Sequence, residues 1–570
     1  MRLRVLTASK SPRIAQGLTY DSGDRDIRPG TLVKIPLRKE IVDGLVLDVL
    51  AERSKEKFAV KEIVEGGETL LTCAQMKTLL WISDHYCVSP RRALSLFLPD
   101  PPWGKLRDES SQHRSSDNVI AATEMPKPTL LFGADRSGSY IRLIDEALKR
   151  GEQCIALFPE VDDVITFSKT LSQRFPGVMQ SAFLGTLTAA TERKEWLKIY
   201  RGEARIVLGT RSAIFAPCRE LGLVIIDNEQ EWTYKEQRMP CTHARDVAIK
   251  LCEYTGAKLI IGTSFPSVEL WARVRAGICN LTPIPSPKRD VRIIDLKGIP
   301  SGKHYPFSAP LIEALEKCLD RREKSVLLLN RKGTETVLLC RGCHWRGGIA
   351  EADIRCPSCG CVDLIKLGAG TRKAESILKE FFPSARIARL ESGTASSPSF
   401  ESADIIVGTQ SVLPLLNDPK ITLACALIAD IGMSQPDFRA SERAAQRLSM
   451  LLHRGSQIKR EVIIQTFRPD APEILTLAKD SPMEFLDHEL RLRKELDYPP
   501  FSTMIALLCR GGQAEASAEM LKSSLKGIHI QKAVLPKKDV RLLLRGHDLQ
   551  QSLVSLDLKD VSIDVDPVEL

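Results

Sequence analysis

From Pro128 onward the chain repeats one pattern: a short apolar run, a tight turn, then a segment with helical periodicity. Thr129-Leu-Leu-Phe132 enters the turn Gly133-Ala-Asp-Arg-Ser-Gly138, and a helical stretch occupies 140–150. Cys154-Ile-Ala-Leu-Phe158, Ala204-Arg-Ile-Val-Leu208, Leu221-Gly-Leu-Val-Ile-Ile226 and Lys258-Leu-Ile-Ile261 follow, each separated by a helix-length segment. A second series begins near Ser325-Val-Leu-Leu-Leu329 and includes Ile405-Ile-Val-Gly408 and Leu423-Ala-Cys-Ala-Leu-Ile428. Strands that are apolar along their whole length, rather than at every second residue, are buried on both faces. Alternation with helices then requires a parallel sheet covered on both sides. The pattern predicts an α/β protein with two consecutive lobes, 128–285 and 286–480, whose strand-end turns face a shared cleft.

The flanks read differently. Residues 1–98 open with short strands, Thr31-Leu-Val-Lys-Ile-Pro36 and Val42-Asp-Gly-Leu-Val-Leu-Asp-Val49, and then show helical periodicity from Leu70 to Tyr86. A Pro-rich break at 99–104 and a polar run at 107–118 make 99–127 a linker. Residues 481–570 form a closing α+β unit. Inside the second lobe, Cys340-Arg-Gly-Cys343 and Cys356-Pro-Ser-Cys359 form two Cys-x-x-Cys pairs twelve residues apart. Each pair turns tightly enough to put two sulfurs on one side of the backbone, and two pairs complete a tetrahedral four-thiolate zinc site. The loop between them is too poor in apolar residues to build its own core, so metal would supply its folding energy. The expectation is a zinc ribbon at about 338–364 holding one zinc on Cys340, Cys343, Cys356 and Cys359, with Cys361 outside the ligand set.

Charge and cysteine content narrow the classes. The 81 Lys and Arg against 72 Asp and Glu leave a net charge of +9, which permits a nucleic-acid partner. Fifteen cysteines behind a start that lacks a secretory h-region point to a reducing, cytoplasmic setting. No apolar run approaches the eighteen residues of a membrane span.

Several short motifs then carry a resemblance. Gly209-Thr-Arg-Ser-Ala213, Asp227, Tyr234-Lys-Glu-Gln237, His243-Ala-Arg-Asp246, Gly408-Thr-Gln410, Pro436-Asp-Phe-Arg-Ala440, Glu442-Arg443, Tyr498-Pro-Pro-Phe501 and Asp564-Val-Asp-Pro567 stand in this order along the chain, with the cysteine pairs among them. Together they resemble the PriA family of primosomal replication-restart helicases (primosomal protein N′) over nearly the whole chain. The resemblance implies two RecA-like helicase lobes with a zinc insertion in the second. It also implies an N-terminal domain that binds a DNA 3′ end, DNA at stalled forks as substrate, and other primosome proteins as partners. Three positions where the family uses charged catalytic groups differ here. A phosphate-binding loop ends in Gly-Lys-Ser/Thr, so that the lysine meets the phosphates and the hydroxyl meets Mg²⁺. Gly133 and Gly138 keep the loop spacing, but Ser139 and Tyr140 follow, and the stretch also reads as a plain strand–helix turn. The family's Asp-Glu-Glu-His is Asp227-Asn228-Glu229-Gln230, and Asn228 cannot accept a proton from water. Of the two arginines in the last helicase motif, Arg454 is present and the second is Gln457. Gly133, Gly138, Ser139 and Asp227 are thus candidate nucleotide contacts, and Asp227, Glu229 and Arg454 are the remnants of the catalytic set. ATP and Mg²⁺ have lost much of the machinery that would hold them.

Other differences bear on organisation. The family's winged-helix domain has no counterpart beyond the linker, and the inner two of its four cysteine pairs are absent. In the N-terminal unit Leu18-Thr19 precedes Tyr20, and Arg38 stands where the family has glycine, so the 3′-end pocket is altered. For DNA, the resemblance points to Tyr20, to Thr210, Arg211 and Ser212 at a strand end, and to Trp232, Tyr234 and Lys235 in an aromatic-rich loop suited to base stacking and phosphate contact. Trp232 reads equally as a residue packed against the lobe. The leading expectation is a replication-restart protein that binds branched or single-stranded DNA and recruits partners without unwinding. The alternatives are an active ATP-dependent 3′-to-5′ helicase with diverged motifs, and a zinc-ribbon DNA-binding scaffold unconnected with replication.

Overall fold

Among the described residues of the computed structural model, five sheets organise the chain. The structure describes residues 1–8, 14–50, 60–101, 103, 106, 126–185, 187–285, 290–299, 303–329, 337–340, 346–347, 355–356, 359–361, 364–367, 370–391, 399–433, 437–455, 458–479, 481–525, 527–535, 538–554, 556, 558 and 561–568. The first sheet is antiparallel, in the order β2-β1-β4-β3-β5, from β1 (Arg2–Thr7), β2 (Leu18–Asp21), β3 (Thr31–Leu37), β4 (Glu40–Leu50) and β5 (Glu65–Thr69). The turn between β3 and β4 places Arg38 at φ +57°. That left-handed conformation favours glycine, the residue the family carries there.

The helices that follow, α1 (Cys73–His85) and α2 (Pro90–Leu94), pack between this sheet and the first lobe, in one core with Leu6, Leu32, Leu45 and Leu47 of the sheet. A capping box between Thr72 and Gln75 starts α1, and the Gln75 amide also donates to Ala216 O at 3.2 Å. The Trp196 indole donates to Phe97 O at 2.9 Å, and Tyr86 Oη accepts the His243 N–H at 3.0 Å. Leu79, Ile82 and Phe97 share one core with Trp196 and Phe215. The helical half of the 1–98 unit therefore joins the N-terminal sheet to lobe 1. Trp103, whose indole donates to Pro99 O, anchors the start of the 99–127 stretch; residues 107–125 lie outside the described residues.

Lobe 1 is a seven-stranded parallel sheet, β12-β6-β11-β10-β7-β9-β8. It is formed by β6 (Thr129–Phe132), α3 (Ser137–Lys149), β7 (Gln153–Leu157), α4 (Val161–Arg174), β8 (Gln180–Phe183), α5 (Ala189–Tyr200), β9 (Ile206–Gly209), β10 (Leu221–Asp227), α6 (Ala244–Thr255), β11 (Lys258–Thr263), α7 (Val268–Arg275) and β12 (Asn280–Pro283). Lobe 2 is a six-stranded parallel sheet, β13-β21-β20-β14-β19-β18. Its elements are β13 (Val291–Asp295), α8 (Ala309–Asp320), β14 (Lys324–Leu328), α9 (Thr371–Phe381), β18 (Ile387–Leu390), β19 (Ile405–Gly408), β20 (Ile421–Ala426), α10 (Ala440–His453) and β21 (Glu461–Thr466). The fully apolar runs of the sequence are the central strands: all five residues of β7 and all four of β9 and β19 are buried.

Between β14 and α9 lies a separate three-stranded antiparallel sheet of β15 (Val337–Cys340), β16 (Arg346–Gly347) and β17 (Leu364–Leu367), with Cys340 paired to Leu364. Its place is that of the expected insertion. Cys343 and the Cys340 side chain lie outside the described residues. Near Cys356, its N–H donates to Cys361 O and it accepts the Gly360 N–H, both at 2.8 Å. Gly360 takes φ +72° to close this turn.

After α11 (Pro472–Lys479) comes α12 (Pro482–Glu495), which packs on α7 of lobe 1 through Phe485 and Leu486 against Phe265, Val268 and Trp271. Ala445 of lobe 2 joins the same cluster, so α12 ties the two lobes together. An antiparallel sheet, β23-β24-β22-β25, closes the chain, built from β22 (Thr503–Cys509), α13 (Ala514–Ser524), β23 (His529–Val534), β24 (Val540–Gly546) and β25 (Val561–Val565).

Candidate nucleotide site and interlobe cleft

The turn after β6 is short. Only residues 133–136 connect β6 to α3, and Gly138 sits inside the first turn of the helix rather than at its mouth. Gly133 adopts φ +150°. Ser139 is half-buried on the same turn. The decisive side chain is Arg136, which is 6% exposed. Its guanidinium Nε donates to Asp227 Oδ1 at 2.8 Å and lies 3.1 Å from Tyr140 Oη, Nη2 donates to Asn228 Oδ1 at 2.9 Å, and Nη1 caps the Gly133 carbonyl. Tyr140 Oη donates to the same Asp227 oxygen at 2.6 Å, and the Asn228 amide donates to Oδ2 at 2.8 Å. Both oxygens of Asp227 are therefore occupied by the protein itself. Burial, reinforced by Asp227, pushes the Tyr140 phenol well above its ordinary range, so it stays a donor. Gly262 completes the cluster: Tyr140 and Arg136 cross its Cα so closely that a Cβ would have no room. Sequence reasoning missed the pairing of Arg136 with Asp227. The available signal was an arginine in the phosphate loop facing an aspartate at the end of a neighbouring strand.

The other catalytic remnants are likewise engaged. Glu229, 1% exposed, accepts the Ser267 N–H at 2.7 Å and pairs with Arg245 at 3.2 Å. Held at the start of α7, it is not free to take over the place of Asn228. Gln230 instead reaches the strand-end threonine, accepting from Thr263 Oγ1 at 2.5 Å. Arg454, at the end of α10, crosses the cleft to Asp163 of α4 at 3.2 Å. Beside this pair the half-buried Glu231 carboxyl is pushed up to about 7 by burial, with Arg454 opposing and Glu160 and Asp163 adding to the shift. Gln457 lies outside the described residues.

Between the lobes opens a cleft of about 2020 Å³, whose walls include Trp81, His85, Trp232, Lys250, Arg273 and Arg447. Trp232 is 49% exposed on a 3-10 turn. Its neighbours differ. Tyr234 is buried and donates to Leu157 O at 3.0 Å and to Asp227 O at 2.6 Å. Lys235 is 4% exposed and pairs with Asp564 at 2.9 Å. Neither presents itself to a nucleic acid in this conformation, because each is tied into the fold by its own polar end. Tyr20, also buried, donates to Pro36 O at 3.2 Å within the N-terminal sheet, so its ring is a core group rather than an open platform.

The strand-end motifs recur in both lobes. Gly209-Thr210 ends β9 and Gly408-Thr409 ends β19, each followed by a 3-10 turn. A Cβ on either glycine would run into the neighbouring strand's carbonyl, Phe183 O or Leu390 O. Arg211 pairs with Glu236 at 2.9 Å and donates to Thr233 O. Ser212 Oγ is buried without a hydrogen-bond partner among the described residues.

Comparison with known proteins agrees with the motif order. Residues 5–99 match the family model described as the 3′DNA-binding domain of PriA. Replication restart protein PriA of Bacillus subtilis is 31% identical over 456 residues, which is 70% of this chain and 56% of that protein. Replication restart protein PriA of Chlamydia pneumoniae is 30% identical over 522 residues, 82% of this chain and 69% of that protein. The chain belongs to the PriA family. It spans little more than half the length of the Bacillus PriA it matches. Among solved structures, RecG bound to a three-way DNA junction superimposes with a TM-score of 0.37 at 12% identity, over 74% of this chain and 56% of that one. Among the described residues of this PriA-family chain, no helix is long and apolar enough to cross a membrane.

Proposed function

We propose that this PriA-family chain is a replication-restart protein that binds single-stranded or branched DNA and recruits primosome partners without ATP-driven unwinding. The observation that carries the reading is the closed Arg136–Tyr140–Asp227 cluster. In a RecA-like lobe Asp227 would reach Mg²⁺, and here its charge is already neutralised by a buried arginine. What remains is a cleft with an exposed Trp232 and cations on both walls, suited to stacking and phosphate contact, beside an N-terminal sheet that matches a 3′DNA-binding domain. Thr210, Arg211 and Ser212 would meet the strand's backbone at the end of β9. The test is fluorescence anisotropy with labelled single-stranded and forked DNA, with and without ATP. Binding is expected without nucleotide, weakening with salt at a slope of about −0.7 per phosphate contact on single strands. Trp232→Ala should weaken it by about 1–3 kcal/mol, the usual worth of one stacked base. Binding that requires nucleotide would instead favour the diverged helicase.

We further propose that the three-stranded insertion binds one zinc through Cys340, Cys343, Cys356 and Cys359. Among the described residues no cluster of three or more His, Cys, Asp or Glu side chains could hold a metal; two of the four thiols lie outside them. The donor set supports the site: Cys356 sits in a tight turn closed by Gly360 and is buried, and β15 ends at Cys340. Zinc would supply a four-thiolate cross-link and so the folding energy of the insertion. Elemental analysis of protein purified without chelator should give one zinc per chain. Cys356→Ser should lose it, with the rest of the chain still folded. Two zincs, or none, would overturn the assignment.

A further inference from the structure

The closing motif Asp564-Val-Asp-Pro567 has no role in the reading above, yet residues 564–568 are bonded across the molecule. Asp564 pairs with Lys235 of lobe 1 at 2.9 Å, and Lys235 also donates to Val565 O. Arg439, at the start of α10 in lobe 2, donates to Pro567 O at 3.1 Å, and Arg443 of the same helix donates to Val568 O. The Asp566 N–H donates to Met504 O at 2.8 Å, and Asp566 turns the chain with φ +52°. Burial raises the Asp566 carboxyl, while Arg439 and Lys235 draw it back toward ionisation. Asp564, Asp566 and Val568 all face the same cleft as Trp232, Arg443 and Arg447.

A bent segment carrying two carboxylates thus lies against cations of both lobes, Asp564 on Lys235 of lobe 1 and the carbonyls of Pro567 and Val568 on Arg439 and Arg443 of lobe 2. The phosphates of a nucleic-acid backbone would offer anionic oxygens to the same cations. We propose that residues 564–568 are an internal acidic strap that competes with the phosphates of a single DNA strand for Lys235, Arg439 and Arg443. This rests on the proposal that DNA binds in the cleft. It explains why Lys235, in the loop best placed for DNA, is only 4% exposed: in this conformation the strap holds it. It also explains why the strap bridges the two lobes. A strand entering the cleft displaces it and frees the lobes to reorient about α12.

The strap can be weakened without removing β25 by the isosteric pair Asp564→Asn and Asp566→Asn. Affinity for a short single-stranded oligonucleotide at low salt is expected to rise about tenfold in the double variant. Its salt slope should steepen by about 0.7 for each cation released. In the wild type, saturating oligonucleotide should speed hydrogen exchange of the 561–568 amides, most clearly at Asp566, and this readout stands even if the variant misfolds. A wild type that binds DNA, with a folded variant that binds no more tightly or more weakly, overturns the strap. So does exchange at 561–568 that DNA leaves unchanged. A wild type that fails to bind DNA at all removes the cleft reading itself, and the strap proposal with it.

Discussion

Phosphate release from ATP, in the presence of Mg²⁺ and forked DNA, is expected to stay at the background of the assay, and Asp227→Ala is expected to leave it there. Three independent chemical losses support this. Ser139 and Tyr140 stand in place of the loop lysine and its metal hydroxyl, Asn228 stands in place of the carboxylate that activates water, and Gln457 stands in place of an arginine. A lost arginine of this kind alone costs about 10³ to 10⁵ in rate. Proximity cannot compensate, because phosphoryl transfer depends on positioning as much as on charge.

The geometry adds a fourth argument. For Mg²⁺ to reach Asp227 it would have to approach a guanidinium 2.7 Å from the same carboxylate. A divalent and a monovalent cation about 4 Å apart repel by about 8 kcal/mol at an effective dielectric of 20. Moving Arg136 aside means breaking its bonds to Asp227, Asn228, Tyr140 and Gly133 in a buried site. Glu229 offers no rescue, being held by Ser267 and Arg245. Arg454 is held to Asp163. Turnover that rises with DNA and disappears in Asp227→Ala would sink this expectation and establish the diverged motor in its place.

What could be read in advance follows from the range of each interaction. The two parallel lobes were legible because continuous apolar runs such as Cys154-Ile-Ala-Leu-Phe158 have only one comfortable environment, the middle of a sheet covered on both faces. The strand-end threonines were legible as motifs and stand where a parallel sheet puts its turns. The condition of the site was legible only in part. Missing groups show in sequence: no lysine follows Gly138. Their substitutes do not, because Arg136 and Asp227 are 91 positions apart in the chain. Lys235 illustrates the same limit. A lysine beside two aromatics suggests a phosphate contact, and nothing local announces that Asp564, on the last strand, reaches it first. The boundary at residue 98 marks a change in composition, and the helices before it share one core with both the N-terminal sheet, through Leu6, Leu32, Leu45 and Leu47, and lobe 1, a contact that composition does not announce.

Arg493→Met is expected to produce the largest loss of stability of any single change at the lobe junction. Arg493 lies on α12 and is 2% exposed. It pairs with Glu442 of lobe 2 at 2.5 Å, with Glu269 of lobe 1 at 3.4 Å and with Glu489 of its own helix at 3.3 Å. Its guanidinium also lies 5.0 Å from the centroid of the Phe438 ring, which stacks on Tyr498. Glu442 further accepts the Val268 N–H at 2.9 Å, so a carboxylate of lobe 2 caps a helix of lobe 1. Removing one partner of a buried pair leaves the other charge uncompensated, at about 3–5 kcal/mol. Methionine keeps much of the volume, so the loss would report charge rather than a cavity. The double change Arg493→Met with Glu442→Leu should recover part of it, since a buried pair is often replaceable by apolar residues of similar size. Urea denaturation of the wild type and the two variants checks both statements. Equal stability of Arg493→Met and wild type would show that the network carries no net weight. The network also sets an acid limit. Burial raises the Glu269 carboxyl, but Arg439, Arg493 and Arg245 outweigh it and hold it down to about 2, against an ordinary 4.5. A depressed carboxylate stabilises the folded state above its unfolded value, and that contribution fades as pH falls from about 4.5 through about 2. In Arg493→Met, with one of those cations gone, Glu269 should protonate at higher pH, and acid unfolding of the lobe junction should begin earlier on the way down.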